Sequence, residues 1–244
     1  MQVHSFKLPS HEGERQYLTP VSNLLYRVVH NFPPKARGTA LLIPGSGLLD
    51  CDGRVNGRPL LRQLSDALFR QGIGTVRFGT RPFSGRPLPR SFVDEYDRPV
   101  AAIAAALMGG HYGTWNRPLV LIGHSLGGHL ATGISNRLAT FDGVGILNAS
   151  PRPLERLWTW QLSRVPQPIA AIARQMADTL TLDYLRASST VDACKDVERS
   201  VVPVIVIGGG RDSHIPAEEF SGWGGAVAGC NSPSAAYWIP DLSH

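Results

Sequence analysis

The sequence has 244 residues, a length that fits one large domain or one domain with an insert. Hydrophobic residues make up 43% and charged residues 18%, as in ordinary soluble globular proteins. The formal net charge is +5, but no Lys/Arg cluster is interleaved with aromatic residues, so a nucleic-acid partner is not expected.

The predicted secondary structure alternates between strands and helices. Short apolar or alternating runs predict strands at 2–8, 15–18, 23–29, 39–43, 74–78, 119–122, 143–147, 201–207 and 235–239. Apolar side chains at helical spacing predict helices at 59–71, 91–107, 126–138 and 217–227. Pro99 predicts a kink or a restart inside the second helix. The alternation implies right-handed crossovers and a mostly parallel central sheet with helices on both faces.

Residues 151–198 differ from the rest of the chain, because prolines break two helical segments that carry many large apolar side chains. We interpret this segment as a helical cap over the strand ends, inserted into a single domain that spans 1–244. Trp158 and Trp160 are then the candidate substrate-binding side chains of the cap. The alternative is that the segment is only an enlarged crossover helix.

Residues 123–127 read Gly-His-Ser-Leu-Gly and lie between a predicted buried strand and a predicted helix. This is the G-x-S-x-G nucleophile elbow in the strand–turn–helix context that it requires. The tight turn holds Ser125 in a strained conformation with its oxygen exposed, and the helix start leaves N–H groups free for a developing oxyanion. The alternative, a plain Gly/Ser turn, does not explain the flanking pattern.

A glycine-rich loop at 44–53 follows the predicted strand 39–43. Such a loop lets backbone N–H groups approach a ligand closely, and beside an elbow it is the natural second source of oxyanion donors. Asp50 and Asp52 in this loop could bind a metal ion, but two carboxylates without a third ligand are better interpreted as acceptors that brace the loop.

Three candidate catalytic side chains follow predicted strands in the order Ser125, Asp212, His244. That order is expected for a strand–turn–helix nucleophile on a parallel sheet. Serine is a poor nucleophile at its free pKa, so a histidine must take its proton and a carboxylate must fix the tautomer of the imidazole. These three residues are therefore the predicted nucleophile, acid and base.

Other ionisable residues compete for these roles. His124 and His129 flank the elbow and are interpreted as structural, whereas His214 lies too close to Asp212 in sequence for a catalytic base. The remaining histidines are interpreted as solvated residues of edge or loop sequence, at 4, 11, 30 and 111. The alternative candidates for the catalytic acid lie in the predicted cap, at Asp183, Asp192 and Asp196.

The motifs together make the chain resemble an α/β-hydrolase over nearly its full length. Residues 45–53, which match the pattern G-S-G-x-x-D-x-D-G, resemble the loop of bacterial esterases and acyl hydrolases related to dienelactone hydrolase. Residues 148–154 and 209–212 and the terminal histidine resemble the same branch. The resemblance implies Ser125 as nucleophile, Asp212 as acid and His244 as base, with an oxyanion hole formed by the N–H groups of Leu126 and Ser46.

The chain departs from this branch at two places. The branch usually has an acidic residue and a Lys/Arg-Gly pair where residues 79–82 here are Gly-Thr-Arg-Pro. Relatives usually add a final helix, whereas this sequence stops at His244. We therefore expect that a natural tail is missing and that this form is poorly active.

Four arginines crowd one region of the sequence, at Arg77, Arg81, Arg86 and Arg90. The simpler interpretation is a solvated basic loop, balanced by nearby acidic residues. The alternative is a pocket for an anionic acyl group or a coenzyme A phosphate.

The cellular setting follows from cysteine usage and hydropathy. The three cysteines, Cys51, Cys194 and Cys230, are widely spaced and indicate neither a disulfide framework nor a metal site. They fit a reducing compartment, and the sequence shows no signal peptide and no apolar run of membrane length. We expect a cytoplasmic protein with no membrane partner.

The sequence thus predicts a serine hydrolase that cleaves a carboxylic ester or thioester through an acyl-enzyme, without a cofactor or metal. One alternative is an acyltransferase or cyclase that uses the same acyl-enzyme. Others are a lyase of the hydroxynitrile type and a ligand-binding protein with a disabled site.

Overall fold

The computed structural model describes residues 14–47, 49–55, 57–80, 93–168 and 190–244. Its strands are β1 (Glu14–Val21), β2 (Leu24–Asn31), β3 (Thr39–Ile43), β4 (Arg54–Val55), β5 (Arg58–Pro59), β6 (Gly74–Phe78), β7 (Leu119–His124), β8 (Gly143–Leu147), β9 (Val204–Arg211) and β10 (Ala235–Ser243). Its α-helices are α1 (Leu60–Arg70), α2 (Arg98–Met108), α3 (Leu126–Leu138), α4 (Leu154–Ser163), α5 (Ala193–Glu198) and α6 (Glu219–Ala228).

Eight of the described strands form one sheet in the order β1-β2-β6-β3-β7-β8-β9-β10. Strand β2 runs antiparallel to both of its neighbours, whereas every pair from β6 to β10 is parallel. Strand β7 therefore lies inside the parallel region, and the carboxyl ends of β7, β8, β9 and β10 meet at one edge. This edge carries the residues discussed below.

The apolar run of β3 is buried on both faces of the sheet, and its alternate side chains enter two different clusters. Leu41 and Ile43 pack in the larger cluster, which includes side chains of α2 and α3 such as Ile103. Leu42 packs in the smaller cluster with Leu61 of α1. Helices thus cover both faces, as the continuous apolar strand predicted.

Strand β9 begins and ends later than the predicted strand 201–207. The glycine run 208–210 belongs to the strand and does not form a loop. Val201 is 85% exposed and precedes the strand, which begins at Val204. The glycines are required because a Cβ on Gly209 or Gly210 would collide with the backbone of β10. Close approach of the neighbouring strand, and not turn formation, therefore explains the run.

Helix α2 restarts after a single π-helical stretch at Val93–Asp97, and Pro99 lies in its first turn. This confirms the predicted restart, because proline at the start of a helix lacks only an N–H that would have no partner there. The predicted helix start at Ser91 and the predicted strand 2–8 lie outside the described residues.

Arg77 and His30 are buried, so the expectation that both are solvated is wrong. The Arg77 guanidinium is 1% exposed and lies 2.7 Å from Glu14 Oε1 and 3.0 Å from Asp52 Oδ1. His30 is 5% exposed, and burial lowers its pKa to about 4. The other arginines of the predicted basic loop, Arg81, Arg86 and Arg90, lie outside the described residues.

The predicted cap is described only in part. Helix α4 and helix α5 lie within 151–198, but residues 169–189 fall outside the described part of the chain, so the cap stays a prediction. In the ranges that the structure describes, no helix has both the length and the apolar character needed to cross a membrane.

Candidate active site

Ser125 occupies the sharp turn between β7 and α3, with φ of 53° and ψ of −121°. A positive φ at a non-glycine residue costs on the order of 1–3 kcal/mol, so the surrounding packing must enforce it. A Cβ on Gly123 would collide with the backbone of Gly127, and a Cβ on Gly127 would collide with the Pro44 carbonyl oxygen. The strand–turn–helix geometry of the elbow is therefore present, and its glycines are required by close backbone approach.

The glycine-rich loop after β3 lies directly against Ser125. A Cβ on Gly45 would be 3.2 Å from Ser125 Cβ, and the buried Tyr96 hydroxyl donates to the Gly45 carbonyl oxygen at 2.8 Å. Ser46 follows in this loop, and Leu126 is the first residue of α3, where helical N–H groups lack an intrahelical acceptor. Both predicted oxyanion donors thus belong to backbone that borders Ser125.

Asp50 and Asp52 brace this loop, as interpreted from the sequence. Asp50 Oδ1 accepts from the backbone N–H of Asp52 at 3.0 Å and of Arg54 at 3.3 Å. Asp52 pairs with the guanidinium groups of Arg54 and the buried Arg77. These partners account for the two carboxylates without a metal ion.

Asp212 and His244 form a hydrogen-bonded pair at the ends of β9 and β10. His244 Nδ1 lies 2.8 Å from Asp212 Oδ2, and the Asp212 side chain is 2% exposed. The other carboxylate oxygen, Oδ1, accepts from the backbone N–H groups of His214 at 2.8 Å and Ile215 at 2.9 Å. Each oxygen of the Asp212 carboxylate thus has a donor.

These partners keep Asp212 ionised. Burial alone would raise the pKa of Asp212, but the hydrogen bond and charge of His244 and the two backbone donors lower it below its ordinary value. An ionised Asp212 accepts the Nδ1 proton of His244, so the lone pair of the neutral imidazole lies on Nε2. This is the tautomer that a general base requires.

The backbone before His244 is tied to the centre of the sheet. The Asn148 side-chain amide, just after β8, donates to the Ser243 carbonyl oxygen at 2.7 Å. Asn148 itself has a positive φ of 43°, a conformation that asparagine tolerates better than most residues. This single side chain therefore links the end of β10 to the strand two positions away in the sheet.

Ser125, His244, Ser46 and Leu126 line one cavity of about 220 Å³, with Asp212 behind His244. The predicted nucleophile, base and oxyanion donors are thus brought together. In the described part of the chain, Ser125 Oγ does not form a hydrogen bond with His244. The sequence did not assign several other lining residues to the site, among them Arg152, Leu154, Leu157, Gln161, His214 and Ile215.

Helix α4 faces the cavity with Leu154, Leu157 and Gln161, whose spacing of three and four residues places them on one side of the helix. Gln161 Nε2 also donates to the His214 carbonyl oxygen at 3.0 Å. Trp158 and Trp160 are not among the described lining residues, which differs from the expectation. The Leu154–Gln161 stripe is visible in the sequence at helical spacing, and a substrate-binding role for Trp158 and Trp160 stays a prediction.

Two histidine rings flank the imidazole of His244. Its ring centroid is 4.7 Å from that of His124 and 4.5 Å from that of His214. Burial, together with the nearby His244, lowers the pKa of His124 to about 3 and the pKa of His214 below its ordinary value. Both neighbours are therefore neutral near pH 7.

Two of the alternative acids, Asp192 and Asp196, do not line this cavity. Asp192 caps helix α5 by accepting from the Lys195 backbone N–H at 3.1 Å, and Asp196 packs beside Gly133 of α3. Asp183 lies outside the described residues. Among the candidate acids that lie in the described residues, only Asp212 is hydrogen-bonded to His244, the predicted base.

The same architecture occurs in solved esterases and peptidases. Est1E from Butyrivibrio proteoclasticus superimposes with a TM-score of 0.64 at 14% identity, covering 94% of this chain and 90% of that chain. The Pyrococcus furiosus esterase Pf2001 gives a TM-score of 0.69 at 14% identity over 95% and 84% of the two chains. Proline iminopeptidase from Mycobacterium smegmatis gives 0.63 at 12% identity over 94% and 91%. No protein-family model and no curated protein matches the sequence.

The chain therefore has the α/β-hydrolase fold, and the fold class predicted from its sequence is confirmed. Its structural neighbours are esterases and peptidases of the α/β-hydrolase type. Identities of 12–14% show a common fold, and the closer resemblance to the branch related to dienelactone hydrolase stays a prediction.

Proposed function

We propose that the protein is a serine hydrolase that cleaves a carboxylic ester or thioester through an acyl-enzyme. The observation that carries this proposal is the Asp212–His244 hydrogen bond of 2.8 Å beside a strained elbow serine, with both His244 and Ser125 lining the same cavity. A serine without a nearby base is unreactive, and a base without an orienting carboxylate takes either tautomer. The arrangement provides all three groups.

In the proposed mechanism, His244 Nε2 takes the proton of Ser125 Oγ as that oxygen attacks the carbonyl carbon of the substrate. The backbone N–H groups of Leu126 and Ser46 donate to the oxyanion that forms. The C–O or C–S bond then breaks, and His244 returns the proton to the departing alcohol or thiol. A water molecule, deprotonated by His244, releases the acid by the same steps.

The absence of a Ser125–His244 hydrogen bond in the described residues is compatible with this role. Catalytic hydrogen bonds are often long or poorly aligned in the free enzyme and shorten when substrate binds. Ser125 is held by its backbone, and its side chain needs only a rotation about Cα–Cβ to change the direction of Oγ.

The described walls favour a short, largely apolar acyl group. The cavity of about 220 Å³ is smaller than the range of about 300–1,000 Å³ typical of drug-sized ligands, and Leu49, Leu154, Leu157 and Ile215 supply apolar contacts. Ester chemistry also fits the neighbours, which include acetyl xylan esterase 1 from Thermoanaerobacterium and Est1E with ferulic acid bound. We infer a small acyl ester as the preferred substrate class.

The direct test is active-site labelling with a fluorophosphonate, followed by peptide mapping. We expect one adduct, on Ser125, together with turnover of p-nitrophenyl acetate that exceeds turnover of the octanoate ester. The Ser125→Ala variant should give neither adduct nor turnover. An adduct on another serine would overturn the assignment, and labelling of Ser125 without release of the acyl group to water would favour an acyltransferase.

A further inference from the structure

His214 lies beside the Asp212–His244 pair, and the three side chains together could bind a metal ion. Asp212, His214 and His244 each offer one ligand atom, and these three atoms lie within 4.8 Å of one another. The rings of His214 and His244 are 4.5 Å apart with an angle of 33° between their planes. His214 has no role in the mechanism above, although it lines the same cavity.

The short turn after β9 fixes this cluster. The His214 backbone N–H donates to Asp212 Oδ1 at 2.8 Å. This hydrogen bond closes a tight turn and fixes the backbone of His214 relative to the Asp212 carboxylate. The carboxylate of Asp212 is buried, whereas His214 is exposed, which leaves the cluster open to a solvated ion on one side.

We propose that Asp212, His214 and His244 form an inhibitory binding site for Zn²⁺. Two imidazole nitrogens and one carboxylate oxygen are a ligand set that zinc favours, with a fourth tetrahedral position left for water. Bond lengths of about 2.0–2.2 Å place the donor atoms of such a site about 3.3–3.5 Å apart. Donor atoms near the 4.8 Å limit must therefore approach one another, whereas His244 Nδ1 and Asp212 Oδ2, 2.8 Å apart, must separate slightly if Nδ1 is the ligand. Hard cations such as Mg²⁺ and Ca²⁺ prefer oxygen ligands and do not fit this set.

Zinc bound here blocks proton transfer whichever nitrogen of His244 it uses. Coordination through Nε2 occupies the lone pair that accepts the Ser125 proton. Coordination through Nδ1 replaces the hydrogen bond to Asp212 and leaves the single ring proton on Nε2, so that nitrogen has no lone pair to accept the Ser125 proton. The binding site stands on geometry, whereas the loss of activity rests on the proposed function.

Binding is tested without catalysis in the full chain carrying Ser125→Ala. Calorimetric titration with Zn²⁺ should give one ion per chain, and Co²⁺ should give the visible absorption of a tetrahedral site. Adding His214→Ala or His214→Gln should weaken zinc binding about tenfold or more, since even outer-shell changes typically cost about 10- to 100-fold. The matched control is His111→Ala, because His111 is exposed and does not line the cavity.

Two results overturn the metal site, namely no zinc binding by the Ser125→Ala chain, or equal affinity with and without the His214 imidazole.

The inhibition is tested by comparing the turnover of each protein in the presence of zinc with its own zinc-free turnover. We expect zinc to inhibit the wild-type and His111→Ala enzymes but not His214→Ala. If zinc binds through His214 and the wild-type rate persists at saturation, the inhibitory role is wrong. If neither ester turnover nor serine labelling occurs, the proposed function fails, and the Ser125→Ala titration still decides the metal site.

Discussion

The proposed nucleophile and the proposed base lie in opposite structural settings. Ser125 follows a strand in the interior of the sheet, and a set of backbone contacts around two glycines fixes its conformation. His244 follows the edge strand β10, where Tyr237 and Ile239 are 55% and 43% exposed. Packing therefore positions the nucleophile, whereas hydrogen bonds to a few side chains position the base.

This difference has an energetic consequence. A substitution of Gly123 or Gly127 must disturb the core, because both glycines contact backbone atoms that cannot move independently of the sheet. A change at the end of β10 removes one hydrogen bond or one side chain and leaves the core intact. The elbow should therefore couple activity to stability, and the end of β10 should separate them.

The largest effect is expected for His244→Ala. Loss of the base should lower turnover by about four to six orders of magnitude, because no other imidazole ring among the described residues is hydrogen-bonded to the Asp212 carboxylate. The melting temperature should fall only modestly, because the buried Asp212 carboxylate keeps the two backbone donors to its Oδ1 atom. Steady-state kinetics and thermal unfolding measure the two effects. Turnover within tenfold of wild type would show that another residue is the base.

The next effect is expected for Gly127→Ala. The new Cβ would collide with the Pro44 carbonyl oxygen, and such overpacking costs up to about 3 kcal/mol of the free energy of unfolding. The matched control is Gly224→Ala in helix α6, where a Cβ meets no atom within 4 Å and alanine should be neutral or stabilising. Denaturant unfolding distinguishes them. Equal stability of the two variants would contradict the packing of the elbow.

A smaller effect is expected from the buried histidine of the elbow as the pH falls. Burial lowers the pKa of His124 from 6.5 to about 3, so between these values the unfolded chain binds a proton that the folded chain does not. Stability is therefore full above pH 6.5 and declines below it, by about 2 kcal/mol at pH 5.

His124→Phe should remove that part of the acid dependence, while His30, whose pKa is also lowered, leaves a residual slope. Urea unfolding at several pH values tests this, and the same slope for both proteins would show that His124 is protonated in the folded state.

The smallest effect is expected for Asn148→Gly, which removes the donor to the Ser243 carbonyl oxygen but still accepts the positive φ. A hydrogen bond contributes about 1 kcal/mol, so kcat should fall about fivefold if the bond aligns His244. Asn148→Asp, which lacks the N–H donor but keeps the shape, is the matched variant and should show a similar loss. An unchanged kcat in both would show that β10 alone positions the base.

The sequence was sufficient for the elbow because all of its determinants are contiguous. Strand, glycine, serine, glycine and helix follow one another in 119–138, and local sterics leave one conformation. The pairing of Asp212 with His244 was also predictable, because both residues follow strands that a parallel sheet brings together.

The remaining features depend on partners that are distant in sequence. The glycines at 208–210 extend a strand only because β10 lies against them, and Arg77 is buried only because Glu14 and Asp52 neutralise it. The side of α4 that faces the cavity could not be predicted for the same reason, since helical periodicity defines a stripe but does not say what the stripe faces.

The positive φ of Ser125 also limits which nucleophiles evolution or an engineer can install at this position. Cysteine has the same unbranched Cβ and fits the turn, so a thiolate version of the proposed enzyme is one substitution away. Threonine is β-branched, and such residues are rare outliers at positive φ. The backbone conformation of Ser125 therefore accepts a cysteine nucleophile and strongly disfavours a threonine nucleophile, whatever the reactivity of either side chain.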